Sequence, residues 1–176
     1  MKANENKLSL LISAEQIQQK ICETARLLEL DYRDKDLVIV AVMKGAICLV
    51  ADLIRELNLP LTLQTILCSS YGALGFVRGD LTIFGTERLQ IKDKDVLIVD
   101  DMFDSGCTIQ GLYDALAGLA PRSVKSCVLL EKNISRSVQI RPDYTLFNIE
   151  NDFVVGYGLD YKELYRGLSS IYTLAP

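Results

Sequence analysis

The sequence predicts one α/β domain with a mainly parallel central sheet. Strongly apolar segments at 37–43, 96–101 and 123–132 are separated by segments with helical periodicity, as in successive β-α-β units. The length of 176 residues, with 49% of them apolar, is enough for one well-buried domain and short for two. No internal repeat or linker interrupts the chain.

The N-terminal half predicts a surface helix followed by a β-α-β unit. Ser13 and Gln16 have the spacing of a helix capping box, and apolar residues follow at helical intervals. The uniformly apolar segment LVIVAVM, residues 37–43, indicates a strand covered on both faces. A helix is expected from residue 46 to the NLP turn, and the next strand over 61–70.

Between about residues 70 and 95 the pattern weakens. The segment YGALGFVRGD has three glycines and no periodicity, while LTIF and ERLQI are interpreted as short hairpin strands. A loop of this length inside a compact domain usually has a function, often as a lid, and a disordered surface excursion is the alternative.

The C-terminal half predicts a further strand-helix-strand unit and an added lobe. The strand VLIVDD, the helix TIQGLYDALAGLAP and the strand SVKSCVLLEK continue the right-handed parallel arrangement. The added lobe is expected to contain three short strands, within PDYTLFNI (142–149), FVVGYGLDY (153–161) and IYTL (171–174).

Composition excludes several classes of function. A net charge of -4 is unlike a nucleic-acid surface, and no signal peptide or membrane span is evident, so a cytoplasmic protein without nucleic-acid or membrane partners is expected. Five cysteines without a CxxC pair indicate reduced thiols. Because the sequence has no histidine, imidazole-bound zinc and histidine bases are excluded, and acid-base chemistry must fall to carboxylates, lysine or tyrosine.

The segment VLIVDDMFDSGCT, residues 96–108, is the candidate site. A predicted buried strand ends in Asp100 and Asp101, and ligands bind at the carboxyl ends of parallel strands. The DSGCT turn suits a phosphate, because small residues let backbone N–H groups surround an anion, and the two carboxylates suit sugar hydroxyls or magnesium. GxxxxGK[ST] and GxGxxG motifs are absent from the sequence. A receiver domain and an ordinary capped turn remain alternatives at this point.

This segment resembles the phosphoribosyl pyrophosphate signature of type I phosphoribosyltransferases, in which an acidic pair and two apolar residues precede Asp-(Thr/Ser)-Gly-x-Thr. The segments VMKGAICLVADLIREL, SSYG, LLEKNISR and PDYTLFNIENDFVVGYGLDYKELYRGL resemble, in order and spacing, the hypoxanthine-guanine phosphoribosyltransferases. The resemblance covers nearly the whole chain after residue 10.

The resemblance implies a Rossmann-like type I phosphoribosyltransferase fold, with a mainly parallel sheet flanked by helices. It implies a single domain over 1–176 with a core at about 12–140 and a lid loop at about 70–95. A small hood would come from the N-terminal segment and residues from about 141 to 176. Family members are usually homodimers or homotetramers.

The implied reaction transfers a 5-phosphoribosyl group from phosphoribosyl pyrophosphate to N9 of hypoxanthine or guanine, with Mg²⁺ as cofactor and IMP or GMP and pyrophosphate as products. Positive charge grows on the ribose ring as the bond to pyrophosphate breaks, so an oxocarbenium-like centre must be stabilised. A xanthine-preferring sister enzyme is one alternative. A non-catalytic sensor of phosphoribosyl pyrophosphate is another, although the length and charge leave little room for a nucleic-acid surface or a second domain.

The resemblance also implies roles for individual residues. Asp104 is the catalytic residue, a general base or acid that faces purine N7. Phosphoribosyl pyrophosphate is assigned to Lys44, Gly45, Ser70, Tyr71, Asp100, Asp101, Asp104, Ser105, Gly106, Cys107, Thr108 and Arg166. The purine is assigned to Lys132, Phe153, Val154 and Asp160, and magnesium to Asp100, Asp101 and Asp160.

Within these sets the implied contacts differ. Lys132 would donate to the purine 6-oxygen, Phe153 would stack on the base, and the backbone of Val154 would read the purine edge. Arg166 would reach pyrophosphate, and the family's cis peptide is expected at Lys44–Gly45. Three further expectations concern the lid, a cradle thiol and a neighbouring charge. The lid, which begins with Ser70 and Tyr71, would close over the reacting centre. The Cys107 thiol would be open to oxidation, and the Glu131 side chain would point away from that of Lys132.

Overall fold

Two β-sheets and three α-helices make up the described part of the chain. The computed structural model describes residues 7–71, 78–136 and 138–174. In chain order the elements are β1 (Leu8–Ile12), α1 (Ala14–Tyr32), β2 (Leu37–Met43), α2 (Ile47–Glu56), β3 (Leu61–Tyr71), β4 (Arg78–Phe84), β5 (Asp95–Phe103), α3 (Cys107–Ala117), β6 (Ser123–Lys132), β7 (Tyr144–Ile149), β8 (Val154–Val155) and β9 (Ile171–Leu174).

The central sheet has the strand order β4-β3-β2-β5-β6-β7. Every neighbouring pair in it is parallel except β3 and β4, which pair antiparallel. The predicted α/β fold with a mainly parallel sheet is therefore confirmed. Because β5 lies between β2 and β6, its carboxyl end is the point at which several segments of the chain can converge.

The strands of the central sheet are apolar because helices cover both faces. Side chains alternate along each strand, so Ile39 and Leu97 pack with α1 and α2, while Val40 and Ile98 pack with α3. The capping box predicted at Ser13 is present: its hydroxyl accepts from the backbone N–H of Gln16, whose side chain accepts from the Ser13 N–H. This alternation explains the uniformly apolar strands of the sequence.

The second sheet is small and has the order β1-β9-β8, so it joins the N-terminal and C-terminal segments of the chain. Of the predicted strand FVVGYGLDY, only Val154–Val155 is a strand, and IYTL forms β9. The placement of PDYTLFNI in this lobe is wrong. Its residues form β7, which pairs parallel with β6 at the edge of the central sheet and packs Leu146 and Ile149 into the core.

The weakly patterned region contains one of its two predicted strands. LTIF lies in β4 and forms a hairpin with β3, but ERLQI is not a strand, because a short 3-10 turn at Thr86–Arg88 occupies its beginning. Residues 72–77, near the beginning of the predicted lid, lie outside the described part of the chain. Among the described helices, none is long and apolar enough to cross a bilayer.

The buried central strands provide a test of the packing. Leu97 on β5 is 0% exposed, whereas Leu30 on α1 is 66% exposed. We expect Leu97→Ala to lower the free energy of unfolding by about 2–5 kcal/mol, because it removes buried methyl groups and leaves a cavity. Urea denaturation followed by circular dichroism measures this change. Leu30→Ala is the control, expected within about 0.5 kcal/mol of the parent; equal effects of the two changes would contradict the described core.

Candidate active site

Most of the residues predicted to bind phosphoribosyl pyrophosphate line one cleft. The cleft has a volume of about 370 Å³ and lies at the carboxyl ends of β2 and β5, opposite the segment that follows β8. The predicted residues that line it are Lys44, Gly45, Asp100, Asp101, Asp104, Ser105, Gly106, Thr108, Asp160 and Arg166. Residues as distant in sequence as Lys44 and Arg166 thus share one site.

The turn from β5 into α3 forms a narrow cradle of small residues. Gly106 has φ +82°, and a Cβ atom there would lie 2.4 Å from Val138 Cγ2 and 2.9 Å from Phe103 Cζ. The N–H of Cys107, the first residue of α3, donates to Ser105 Oγ at 3.4 Å. The positive end of the α3 dipole therefore faces the cleft, as the predicted phosphate cradle requires.

Two cysteines lie near the cradle in different surroundings. Cys107 has an exposed side chain and is outside the lining of the cleft. Cys68, at the end of β3, does line the cleft, and burial raises the pKa of its thiol to about 12. Cys68 is therefore a neutral group at physiological pH.

The acidic pair near the end of β5 has one buried member, Asp100, and one partly exposed member, Asp101. Asp100 is 5% exposed, and its Oδ1 accepts from the backbone N–H of Asp101 at 2.9 Å. Burial raises the pKa of both carboxyl groups; the charge of Asp101 raises that of Asp100 further, and Arg166 partly offsets the effect on Asp101. The pair is consequently a place where added positive charge would be stabilising.

Close backbone packing positions this pair. A Cβ atom at Gly45 would lie 1.8 Å from Asp101 Oδ2, so only glycine leaves room for that carboxylate. A Cβ atom at Gly158, where φ is +98°, would lie 2.2 Å from the carbonyl oxygen of Gly45. Gly158, Gly45 and Asp101 are thus stacked, and the turn after β8 supports the loop after β2.

Two cations, Lys44 and Arg166, line the same cleft, and each is paired with a carboxylate. Arg166 donates to Asp160 Oδ1 at 2.7 Å and to the Gly158 carbonyl at 2.7 Å, and among the described residues its buried Nε has no hydrogen-bond partner. Glu163 Oε2 contacts both Lys44 Nζ, at 3.1 Å, and Arg166, at 3.4 Å. An unpaired buried donor beside Lys44 suits an anionic ligand.

The cis peptide bond lies one residue earlier than expected. It joins Met43 to Lys44, not Lys44 to Gly45. The bond marks the turn from β2 into the loop that carries Lys44. The prediction rested on resemblance, and no side-chain pattern identifies which peptide of a loop is cis.

Three of the residues assigned to the purine lie at the end of β6 and at the start of β8. Lys132, the last residue of β6, donates from Nζ to Asn151 Oδ1 at 3.3 Å. Phe153 is 51% exposed and has an edge contact with Tyr161, with ring centroids 5.7 Å apart and planes at 86°. Val154 is buried in β8. An exposed aromatic ring suits a flat base, and a lysine donor suits a carbonyl oxygen.

Some assigned residues lie elsewhere or are only partly described. Asp160 lines the cleft with the acidic pair rather than joining Lys132 and Phe153. Ser70 and Tyr71 are the last two residues of β3, and their side chains lie outside the described part of the structure. Their roles, and that of the lid, stay predictions.

Four contributors to the site were not predicted from the sequence: Asn151, Gly158, Glu163 and Arg136. Arg136 donates to the backbone carbonyls of Asp104, Phe103 and Lys132. It lies in the irregular segment between β6 and β7, which has no periodicity to indicate burial. The motif spacing that revealed the other residues carries no information about such contacts.

The donor chemistry fits magnesium. The described residues contain no group of three or more His, Cys, Asp or Glu side chains placed to hold a metal. Mg²⁺ is commonly bound through one or two carboxylates together with substrate oxygens and water, and Asp100 and Asp101 provide such a pair. Asp160 is engaged by Arg166 and by the N–H of Glu163, so it would have to exchange these contacts for an ion.

Comparison with known proteins agrees with this geometry. The family model described as "Phosphoribosyl transferase domain" matches residues 12–162. The hypoxanthine-guanine phosphoribosyltransferase of Mycobacterium avium is 43% identical over 174 residues, which cover 96% of this chain and 86% of the relative.

Solved structures agree as well. A hypoxanthine-guanine phosphoribosyltransferase from Bacillus anthracis superposes with a TM-score of 0.89 at 37% identity, covering 97% of this chain and 100% of that one. The hypoxanthine phosphoribosyltransferase of Trypanosoma cruzi, in complex with the product IMP, superposes with a TM-score of 0.87 at 35% identity, covering 100% of this chain and 98% of that one. The chain belongs to the phosphoribosyltransferase family and, within it, to the hypoxanthine-guanine phosphoribosyltransferases.

The contact between Gly45 and Asp101 can be tested by adding one methyl group. We expect Gly45→Ala to lower phosphoribosyltransferase kcat/KM by about 100-fold, because the Cβ atom would displace the Asp101 carboxylate. Thermal unfolding should change little, since a side chain and not a backbone atom must move. Gly118→Ala, where a Cβ atom would meet its first neighbour at 3.8 Å, is the control. Parent-like kinetics in Gly45→Ala would contradict the described position of Asp101.

Proposed function

We propose that this chain transfers the 5-phosphoribosyl group of phosphoribosyl pyrophosphate to N9 of hypoxanthine or guanine and releases pyrophosphate, in cytoplasmic purine salvage. The observation that carries the proposal is the convergence of an acidic pair, a small-residue cradle and the cations Lys44 and Arg166 in one cleft. Relatives named hypoxanthine-guanine phosphoribosyltransferases, and a structural neighbour in complex with IMP, support the choice of substrates.

The phosphoribosyl part of the substrate would lie along β5 and α3. The backbone N–H groups and hydroxyls of Ser105 and Thr108 would hold the 5-phosphate at the start of α3. Asp100 and Asp101 would accept from the ribose hydroxyls or hold Mg²⁺. When bound, the magnesium ion would neutralise the pyrophosphate leaving group.

Lys44 and Arg166 would hold pyrophosphate. Lys44 and the buried Nε of Arg166 offer donors in the cleft that also contains the cradle. Placing the phosphate and pyrophosphate on opposite sides would stretch the substrate across the cleft and leave C1 between them. The negative carboxylates would then face the positive charge that develops on the ribose ring.

The purine would lie beyond β6. Phe153 would stack on the base, Lys132 would donate to the 6-oxygen, and the backbone of Val154 would contact the purine edge. Asp104 would exchange the N7 proton, which is a carboxylate's task in a chain without histidine. A donor at the 6-position favours a carbonyl over the amino group of adenine.

Two further parts of the proposal concern the lid and assembly. The beginning of the region about 70–95 would close over the reacting centre and exclude water, since an exposed oxocarbenium-like centre would be hydrolysed. Later residues of this region form β4 in the central sheet and pack Ile91 into the core. The chain would associate with a second copy through the apolar groove beside β3 and β4, where Leu67 is 49% and Phe84 is 55% exposed.

Replacement of Asp104 tests the proposed function. In a magnesium-dependent spectrophotometric assay with hypoxanthine, guanine, xanthine and adenine, the parent should convert hypoxanthine or guanine. Asp104→Asn should lower kcat by about 10²- to 10⁴-fold, because the amide cannot exchange the N7 proton. Asp114→Asn, an exposed change on α3, is the control. A parent that prefers xanthine, or that turns over no base, would contradict the proposal.

The hydrogen bond between Asn151 and Lys132 yields a second prediction. Asn151→Ala should raise the KM for hypoxanthine by about 2- to 12-fold, the equivalent of one lost hydrogen bond, because the ammonium loses the acceptor that orients it. The KM for phosphoribosyl pyrophosphate should stay at the parent value. Asn148→Ala, an exposed change on β7, is the matched control. Equal increases in both KM values would refute a base-specific role.

A further inference from the structure

Arg136 is a cation buried outside the cleft, with a side chain only 4% exposed. It lies in the irregular segment that connects β6 to β7. A buried guanidinium is costly unless its donors are paired, and long surface arginines normally keep their charge in water. The burial of this side chain therefore calls for a specific reason.

All three guanidinium nitrogens have partners. Nε donates to the carbonyl of Asp104 at 2.6 Å, and Nη2 donates to the carbonyls of Phe103, at 3.3 Å, and Lys132. Nη1 pairs with Glu131 Oε1 at 3.3 Å. Three of these acceptors are backbone carbonyls, at the end of β5, in the residue after it and at the end of β6.

These carbonyls lie where the two strands separate. The parallel ladder between β5 and β6 runs up to the pair Phe103 and Glu131. The next residues, Asp104 and Lys132, diverge into the cradle and into the segment after β6. The guanidinium donates to carbonyls at this point, those of Phe103, Asp104 and Lys132, and so it connects the two strand ends across the gap.

The guanidinium is itself held in place. Its carbon lies 4.7 Å from the centroid of the Phe103 ring. Glu131 is 15% exposed and also accepts from Thr145 Oγ1 at 3.0 Å, which anchors the ion pair to β7. In the sequence, Glu131 is a negative charge next to Lys132. In the structure, its carboxylate pairs with Arg136.

We infer that Arg136 is a positioning residue that sets the spacing between Asp104 and Lys132. The inference rests on the proposed function, in which Asp104 faces N7 and Lys132 faces O6. These two atoms lie on the same edge of a 6-oxopurine at a fixed separation, so the two protein groups must also be held at a fixed separation. The guanidinium holds its donors in a fixed planar fork, whereas the three donors of a lysine ammonium rotate and fix no such spacing.

The test compares Arg136→Lys and Arg136→Ala with the parent in steady-state kinetics. Arg136→Lys should lower kcat/KM for hypoxanthine by about 100-fold, the typical cost of misplacing reacting groups by about 1 Å. The KM for hypoxanthine should rise more than the KM for phosphoribosyl pyrophosphate. Added guanidinium ion at millimolar concentration should restore part of the lost kcat/KM in Arg136→Ala and none in Arg136→Lys.

Two further variants separate positioning from folding. Arg141→Ala removes a 60% exposed arginine that pairs with the same Glu131 oxygen at 3.6 Å, and it should leave the kinetics unchanged. Glu131→Gln keeps Arg136 but loosens its anchor, so it should shift the same constants in the same direction by a smaller factor. Glu131→Gln keeps the inference testable if the Arg136 variants do not fold.

The possible outcomes distinguish failure of the proposed function from failure of the positioning role of Arg136. Absence of turnover by the parent would overturn both the proposed function and this inference. Normal parent turnover with unchanged KM values, unchanged base preference and only a lowered melting temperature in Arg136→Lys would overturn the positioning role alone. Loss of activity in Arg141→Ala equal to that in Arg136→Ala would also overturn it, because the effect would then come from Glu131.

Discussion

Asp100 and Asp101 stand side by side at the end of a strand that is buried on both faces, and burial raises the pKa of each carboxyl group. Chain segments distant in sequence meet around them: Gly45 because a side chain would occupy the place of the Asp101 carboxylate, and Gly158 because it packs on Gly45. Arg166 adds a positive charge that lowers the pKa of Asp101 and so partly offsets the effect of burial. The geometry of the cleft follows from accommodating this pair.

The segment that carries Asp160 and Arg166 has an unusual backbone. Lys162, Glu163 and Tyr165 all have positive φ, at 53°, 65° and 74°. Each such residue costs on the order of 1–3 kcal/mol, and conformations of this kind persist where the surroundings hold them. Here the Arg166 contacts to Asp160 and to the Gly158 carbonyl hold the turn, which keeps the arginine opposite the acidic pair.

Much of the fold and of the site could be predicted, because the signals are local. Alternation and apolar runs located the central strands, and the DSGCT turn after paired aspartates located the cradle. The errors have physical causes. PDYTLFNI has the same local pattern in a central sheet as in an added lobe, and which one it joins depends on its partner β6. ERLQI has strand-like composition, but the strand that pairs with β4 is β3.

The amino-acid sequence by itself determined the order of the elements, the acidic pair, the cradle and the absence of any histidine base, since each depends on residue types within a few positions. Only the tertiary structure decided which residues support that site. Arg136 reaches Asp104 across 32 positions and Phe103 across 33, and its acceptors there are backbone carbonyls. Every residue carries a carbonyl, so no side-chain pattern could have identified these partners.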